Sequence, residues 1–372
     1  MTTVYVTCLC GKNTESLQLK SSLPVPVSTC SCSICRYTTG LLYLSCLPLT
    51  SKPKAVANLT EYRSSTWLTR YFCPACGSHM FANNVSKENS WMVCSGSVDQ
   101  VPGHEQVSRL SLEKVMQHEF VGTTKDGGLA LCLADFEGRS APLFLQDSNG
   151  PTMLTAAGPP LSRSERAKPP YSNSGVAAPE GEPGMHTNQL SASCYCGGVA
   201  FQVTRPNSAS TACSSPFPDL LVPYHSSSSE NPTDVKWWLR ANKYLAGTCA
   251  CRSCRLGSGS PIQAWAFIPK ANISQRDGSP IDYGIGTLQE IESSKDCFRN
   301  FCGTCGATVF WHSRTRPDLV DVSVGLLRAE EGSRAENWLQ WWTERVSFQE
   351  DALDTVLIDN LQRGLSRIHS NG

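Results

Sequence analysis

The sequence predicts a mainly β protein of two tandem domains, each built of short antiparallel sheets, with a helix at the C-terminal end. Three observations carry that expectation. Seven cysteines recur in one order, C-x-C … C-x-C-x-x-C … C-x-x-C, in both halves of the 372-residue chain. Around them lie short runs of strand type punctuated by Gly and Pro, with no long helical periodicity in the first half. Between the halves the composition shifts to a Pro- and Gly-rich stretch with few apolar residues.

Residues 1–145 form the expected first domain. Leu17-Gln18-Leu19-Lys20 alternates apolar and polar, Leu41-Leu42-Tyr43-Leu44 is a short buried-type run, and both read as strands. Glu61 to Ser65 and Tyr71-Phe72 continue in that manner. Residues 146–189 read as a flexible linker with some Pro stiffening, carrying Gly158-Pro159-Pro160, Lys168-Pro169-Pro170 and Glu180-Gly181-Glu182-Pro183-Gly184. Residues 190–350 form the second domain, with a Ser- and Pro-rich insertion from about Ser214 to Asn231 that the first lacks. There Trp265 to Ile268 reads as a strand ended by Pro269, and Val309-Phe310-Trp311 as another. Trp338, Leu339, Trp341 and Trp342 have a spacing that suits an amphipathic helix. Residues 351–372 form the C-terminal helix and tail, with helical spacing from Ala352 to Leu365 and an end near Gly364.

Equal numbers of basic and acidic side chains, 32 of each, lack the excess positive charge that phosphate-backbone binding requires, so nucleic acid is not an expected partner. No apolar run approaches the roughly 20 residues that cross a bilayer, so no membrane partner is expected. The N-terminus has neither the basic nor the apolar region of a secretory signal, so a cytoplasmic location is expected, with a nuclear one left open. Nineteen cysteines in a reducing compartment point to metal rather than to disulfides, and the odd count fits full pairing badly.

Cys73-Pro74-Ala75-Cys76-Gly77 and Cys302-Gly303-Thr304-Cys305-Gly306 each bring two thiolates onto one ion around a tight turn. In Cys8-Leu9-Cys10 and Cys194-Tyr195-Cys196, residues two apart point to one face of a strand. Joining each C-x-C to its C-x-x-C gives a four-cysteine zinc site tying the N-terminal strand of a domain to a distant turn. The other reading of the C-x-x-C is a thioredoxin-like redox pair, for which the surrounding βαβ pattern is missing.

Cys30, Cys32 and Cys35, and their counterparts Cys249, Cys251 and Cys254, remain. Three cysteines within six residues hold one zinc and leave a fourth position for water or substrate. An open, thiolate-rich zinc binds a further soft thiolate and lowers its pKa, giving a nucleophile at neutral pH. The alternative is a second structural site closed by a remote histidine or by Cys46 or Cys94. Arg36 and Arg255 each follow a third cysteine and either offset the charge of the thiolates or face solvent. Cys46, Cys94, Cys132, Cys213 and Cys297 lie outside the repeat and read as small buried hydrophobes. His79 and His312 read as packing or surface residues, His79 being near enough to serve as a reserve ligand.

The seven-cysteine order, with Cys-x-Cys-Gly, Cys-x-Cys-x-x-Cys-Arg and Phe-Cys-x-x-Cys-Gly, resembles the glutathione-dependent formaldehyde-activating enzyme family, which also includes centromere protein V. The resemblance runs from Cys8 to about Leu145 and from Cys194 to about Val346. It implies a β-tent fold with two Zn2+ per domain. It implies structural sites at Cys8, Cys10, Cys73, Cys76 and at Cys194, Cys196, Cys302, Cys305, and catalytic sites at the two triplets. The reaction it implies adds the thiol of glutathione to formaldehyde to give S-hydroxymethylglutathione, a carbon–sulfur lyase reaction in reverse. Many members carry His after the first triplet cysteine, where this chain has Ser31 and Ala250.

The leading functional expectation is therefore a zinc-dependent carbon–sulfur lyase, with a small thiol such as glutathione and a small aldehyde as partners. The alternatives are a non-catalytic zinc-stabilised binding module, and a split in which one domain is catalytic and the other structural.

Overall fold

A computed structural model describes residues 1–88, 90–104, 109–136, 138–153 and 188–370. It is mainly β, and a run of five antiparallel strands recurs in the same spatial order in both halves. In the first half an antiparallel five-stranded sheet runs Cys46–Pro48, Trp91–Cys94, His79–Asn84, Leu68–Phe72, Thr60–Arg63. In the second half Gln263–Pro269, Arg316–Ser323, Thr308–Ser313, Cys297–Cys302 and Leu288–Ser294 follow in the same spatial order. The strand that enters each triplet, Val25–Cys30 or Lys243–Cys249, is flanked by a parallel partner, Glu113–Glu119 or Leu339–Trp341. Each N-terminal C-x-C follows a strand of a small antiparallel sheet, Thr3–Thr7 or Gln189–Ser193.

Both triplets fold alike because their local sequence dictates it. Cys32 is the N-cap of helix α1 (Ser33–Thr39) and Cys251 that of α2 (Arg252–Ser258), each side chain accepting from the backbone N–H three residues on. Gly40 and Gly259, with φ of 78° and 80°, end these helices in the left-handed conformation that glycine adopts without strain.

The halves meet about an approximate two-fold relation. A Cβ on Gly40 would lie 2.1 Å from the Thr308 carbonyl oxygen, and one on Gly259 2.2 Å from that of His79. Gly96 donates its N–H to the Gly259 carbonyl at 3.0 Å, and Tyr195 donates to that of Tyr37 at 2.9 Å. Buried apolar residues of both halves join one continuous cluster, from Val4 to Leu365.

The structure corrects three expectations. Leu41 to Leu44 is a buried loop, touching a strand only where Leu44 bridges Cys30. Leu41 and Leu44 pack on the triplet, Leu42 and Tyr43 enter the main core, and the run builds no sheet. The Trp338 to Trp342 segment is a strand, Leu339–Trp341, and not a helix. A short apolar run does not separate the two by periodicity, and here pairing with Tyr244 to Ala246 decides. The C-terminal helix α3 (Thr355–Ser370) runs through Gly364 instead of ending there. Gly364 serves close approach, since a Cβ would stand 1.7 Å from the Cys132 carbonyl oxygen on the first half.

Asp354 fastens α3. One carboxylate oxygen accepts from Leu357 N–H at 2.9 Å and the other from Leu112 and Glu113 N–H, both at 2.9 Å. Of the expected linker, residues 154–187 lie outside the described residues, while Thr152–Met153 pairs with Leu143–Phe144. No helix among the described residues is long and apolar enough to cross a membrane.

Candidate metal centres

Fourteen cysteines gather in four groups. In each group the sulfurs lie within 4.8 Å of one another: Cys8, Cys10, Cys73, Cys76; Cys194, Cys196, Cys302, Cys305; Cys30, Cys32, Cys35; and Cys249, Cys251, Cys254. The cysteines are all free thiols. Neighbouring sulfurs stand 3.4 Å apart between Cys8 and Cys10, 3.7 Å between Cys10 and Cys73, and 3.5 Å between Cys196 and Cys302. A tetrahedral zinc with bonds of about 2.3 Å sets its sulfurs about 3.8 Å apart, so the four-thiol groups have the size and the donor chemistry of a closed metal site. The backbone assists: Asn13 N–H points at Cys8 Sγ at 3.4 Å, and Val199 N–H at Cys194 Sγ at 3.3 Å.

The triplets are three-sulfur groups. Among the described residues no further His, Cys, Asp or Glu joins either of them. Cys30 and Cys35 are 3.4 Å apart, and Cys35 N–H donates to Cys32 Sγ at 3.3 Å, as Cys254 N–H does to Cys251 Sγ at 3.3 Å. Hydrogen bonds from neighbouring thiols, assisted by an arginine, hold Cys35 and Cys254 well below the ordinary thiol range.

Those arginines are not the two that follow the triplets. Arg70 donates from Nη2 to Cys35 Sγ at 3.0 Å, and Arg299 from Nη2 to Cys254 Sγ at 3.4 Å. Each sits three residues before a C-x-x-C, on the strand leading into it, with its side chain buried among sulfurs. The signal was present as Arg-x-Phe-Cys, repeated at Arg70 and Arg299. Arg36 and Arg255 turn away to backbone carbonyls: Arg36 to Ser31 and Thr123, both at 3.1 Å, and Arg255 to Gly96 at 3.0 Å. They brace loops and do not touch a thiol.

A second shared device escaped the sequence reading. Ser31 N–H donates to the Glu119 carbonyl at 3.0 Å, and Ala250 N–H to that of Ser347 at 2.9 Å. The next residue is a phenylalanine in the left-handed region each time, Phe120 at φ 58° and Phe348 at φ 51°. A side chain held there costs on the order of 1 kcal/mol, and such strain clusters at functional sites.

The centres differ in their surroundings. Cys46 and Cys94 pack with the first triplet. Trp265, Trp311 and Phe348 pack with the second, where Trp265 Nε1 donates to Cys254 Sγ at 3.4 Å. The insertion reaches this second centre: Tyr224 meets Phe348 edge-on with centroids 5.4 Å apart, and Asp219 accepts from Ser347 Oγ at 3.1 Å. Asp321, paired to Arg316 at 2.6 Å, is pushed up to about 6 by burial against the pull of that arginine.

Neither histidine joins a group. His79 is buried at the seam, with Nε2 3.2 Å from the Thr38 carbonyl and its pKa held down at about 3 by burial. His312 stacks on Tyr283 at 4.0 Å and meets Glu290 at 2.9 Å. Cys132 and Cys213 are buried in apolar packing, as free cysteines commonly are.

No curated protein matches the chain. A crystal structure of a Rhodobacter sphaeroides protein is similar to it over 41% of this chain and 98% of its own, at 17% identity and a TM-score of 0.23. The pattern of the family described as glutathione-dependent formaldehyde-activating enzyme matches residues 3–113 and 233–345. The second match begins beyond Cys194 and Cys196, yet the fold returns these two to Cys302 and Cys305. With more than half of its length matched in two regions, the chain belongs to the glutathione-dependent formaldehyde-activating enzyme family, in two tandem copies.

Proposed function

We propose that the chain is a zinc-dependent carbon–sulfur lyase whose two triplets are its reaction centres. The substrates are a small thiol, glutathione being the one the family description names, and a small aldehyde such as formaldehyde. The observation that supports this reading is the count of sulfurs: four in each outer group, three in each triplet. Held by Cys30, Cys32 and Cys35 or by Cys249, Cys251 and Cys254, zinc would supply a soft acceptor for a fourth sulfur and would lower the pKa of that thiol. The thiol sulfur then attacks the carbonyl carbon. A C–S bond forms, the π pair moves to oxygen, and the proton the thiol gave up ends on that oxygen.

The protein's own groups prepare this. Arg70 and Arg299 bring a fixed positive charge against the negative triplet, so a further anionic sulfur meets less repulsion. The Cys35 and Cys254 N–H groups, and the Trp265 indole in the second centre, hold the sulfurs in place. In the second centre the rings of Trp265, Trp311 and Phe348 exclude water from the reacting atoms. The outer four-thiol groups tie each N-terminal strand to its turn and have a folding role.

The test is a titration of the cobalt-substituted full chain with glutathione. Growth of a thiolate-to-cobalt absorption band, with faster consumption of formaldehyde, is the expected result. An unchanged spectrum at saturating glutathione overturns the proposal and favours a zinc-stabilised binding module.

A further inference from the structure

Two cysteines that the duplicated pattern leaves out meet beside the first triplet. Cys46 and Cys94 are direct partners across antiparallel strands, with sulfurs 4.0 Å apart. Their neighbours are joined by a backbone bond, Ser95 N–H to the Ser45 carbonyl at 3.2 Å. Cys46 and Cys94 are therefore the next, non-hydrogen-bonded pair, the type that brings side chains closest. The Cα spacing of such a pair lies in the range a disulfide spans. Both residues pack in one cluster with Cys30, Cys32, Cys35, Leu41 and Leu44.

Neither sulfur belongs to the three-sulfur group, so this pair is open to chemistry of its own. In the second half the same cross-strand position holds Trp265 and Ser323. Access selects the reagent. Cys46 is half-buried and Cys94 only 2% exposed, so the oxidant must be a molecule of a few atoms.

We propose that Cys46 and Cys94 form an oxidisable dithiol that reduces a small hydroperoxide, an activity confined to the first domain. One of the two sulfurs, giving up its proton in the step, attacks the terminal peroxide oxygen and the O–O bond breaks. Water or an alcohol leaves with the thiol's proton, and a sulfenic acid remains. The other thiol attacks that sulfur, the S–O bond breaks, the hydroxyl leaves as water with the remaining proton, and the Cys46–Cys94 disulfide forms. Two thiols are oxidised and one O–O bond is reduced. A reducing thiol restores the pair by exchange.

The metal-loaded full chain is treated with stoichiometric hydrogen peroxide, quenched with an alkylating reagent and mapped by peptide mass. The expected product is one cross-link between the peptides of Cys46 and Cys94, lost on reduction, with metal content and glutathione binding unchanged. In Cys46→Ser and Cys94→Ala, each checked for retained metal, peroxide consumption at one equivalent falls at least tenfold. Oxidation of Cys30, Cys32 or Cys35 first, with loss of metal, overturns the proposal, as does peroxide consumption that survives both substitutions. Because metal and glutathione binding are read on the same sample, failure of the dithiol is told apart from failure of the lyase reading.

Discussion

Arg70 reaches the Cys35 sulfur at 3.0 Å from the strand that leads into the outer cysteine pair, and so links the two sulfur groups of the first domain. Arg299 repeats the link to Cys254 at 3.4 Å. Each guanidinium has one further anchor, Ser64 Oγ at 3.1 Å or Ser253 Oγ at 3.0 Å. Replacing Arg299 by Met is expected to cost about 3 kcal/mol of stability, as for a broken buried ion pair. It should also lower kcat/KM of the second centre by at least tenfold while the outer groups keep their metal. Lysine cannot reach both anchors with a planar fork and should not rescue. Kinetics beside metal analysis checks this, and a variant with normal kcat/KM would remove the arginine from the chemistry.

The cysteines were legible because they recur with fixed spacing, so the groups at Cys8 to Cys76 and Cys194 to Cys305 follow from sequence order alone. Arg70 and Arg299 were visible only by laying one half over the other, since a lone arginine three residues from a cysteine carries no signal. Cys46 and Cys94 have no counterparts to be matched with, and 48 residues separate them. Only the sheet register brings them together. The anchoring of α3 by Asp354 spans more than 240 residues from Leu112, a separation at which local pattern says nothing. The tryptophans near 340 mislead for a different reason: their strand is decided by a partner nearly a hundred residues away.

The seam between the halves tests the two-fold relation. Gly40→Ala forces a Cβ into the left-handed region and to within 2.1 Å of the Thr308 carbonyl oxygen. Gly259→Ala does the same against His79 at 2.2 Å. Each is expected to cost about 2 kcal/mol or more, since the conformation alone costs about 1 to 2 and the clash adds to it. Urea unfolding should show similar losses for the two variants. A neutral result at one of them would break the equivalence.

Stability should also depend on pH through Glu113. Burial, then the neighbouring Asp354 carboxylate, push this group up to about 8 from 4.5, against the Ser45 and Ser95 hydroxyls that oppose the shift. Between those values the folded chain keeps a proton that the unfolded chain releases. The stability linked to this group is thus fully present below pH 4.5 and is lost as pH rises towards 8, by a few kcal/mol. Glu113→Gln should flatten that component while keeping a bond to Ser45. The urea midpoint of the variant minus that of the parent, taken at pH 6 and pH 8, isolates it from metal loss, which both chains share. A difference that does not change with pH would show Glu113 to be ionised throughout.

Metal content separates folding from reaction sites. The full chain should carry about four zincs, one for each group of sulfurs. Cys73→Ser should unfold its own half, because the closed site is part of the folding free energy. Cys32→Ser should lose one zinc and the first centre's turnover while the circular dichroism stays native. A content near two in the parent chain would leave the triplets without metal and remove them as reaction centres.

The strained phenylalanines give the sharpest separation of structure from function. Phe348→Gly relieves a left-handed side chain, which by itself raises stability by about 1 kcal/mol, but removes the ring that packs on Cys249, Cys254 and Trp265. If the ring is only packing, its loss lowers stability on balance and leaves turnover alone. If it also excludes water from the second centre, turnover falls at least tenfold on top of that loss of stability. The measurement belongs in a chain whose first centre is silenced by Cys32→Ser, so that only the second is read. Tyr224→Ala, which removes the ring set edge-on against Phe348 at 5.4 Å, should give a smaller loss in the same assay. In the reverse background, with Cys251→Ser, it should give none, because the first domain has no insertion over its triplet.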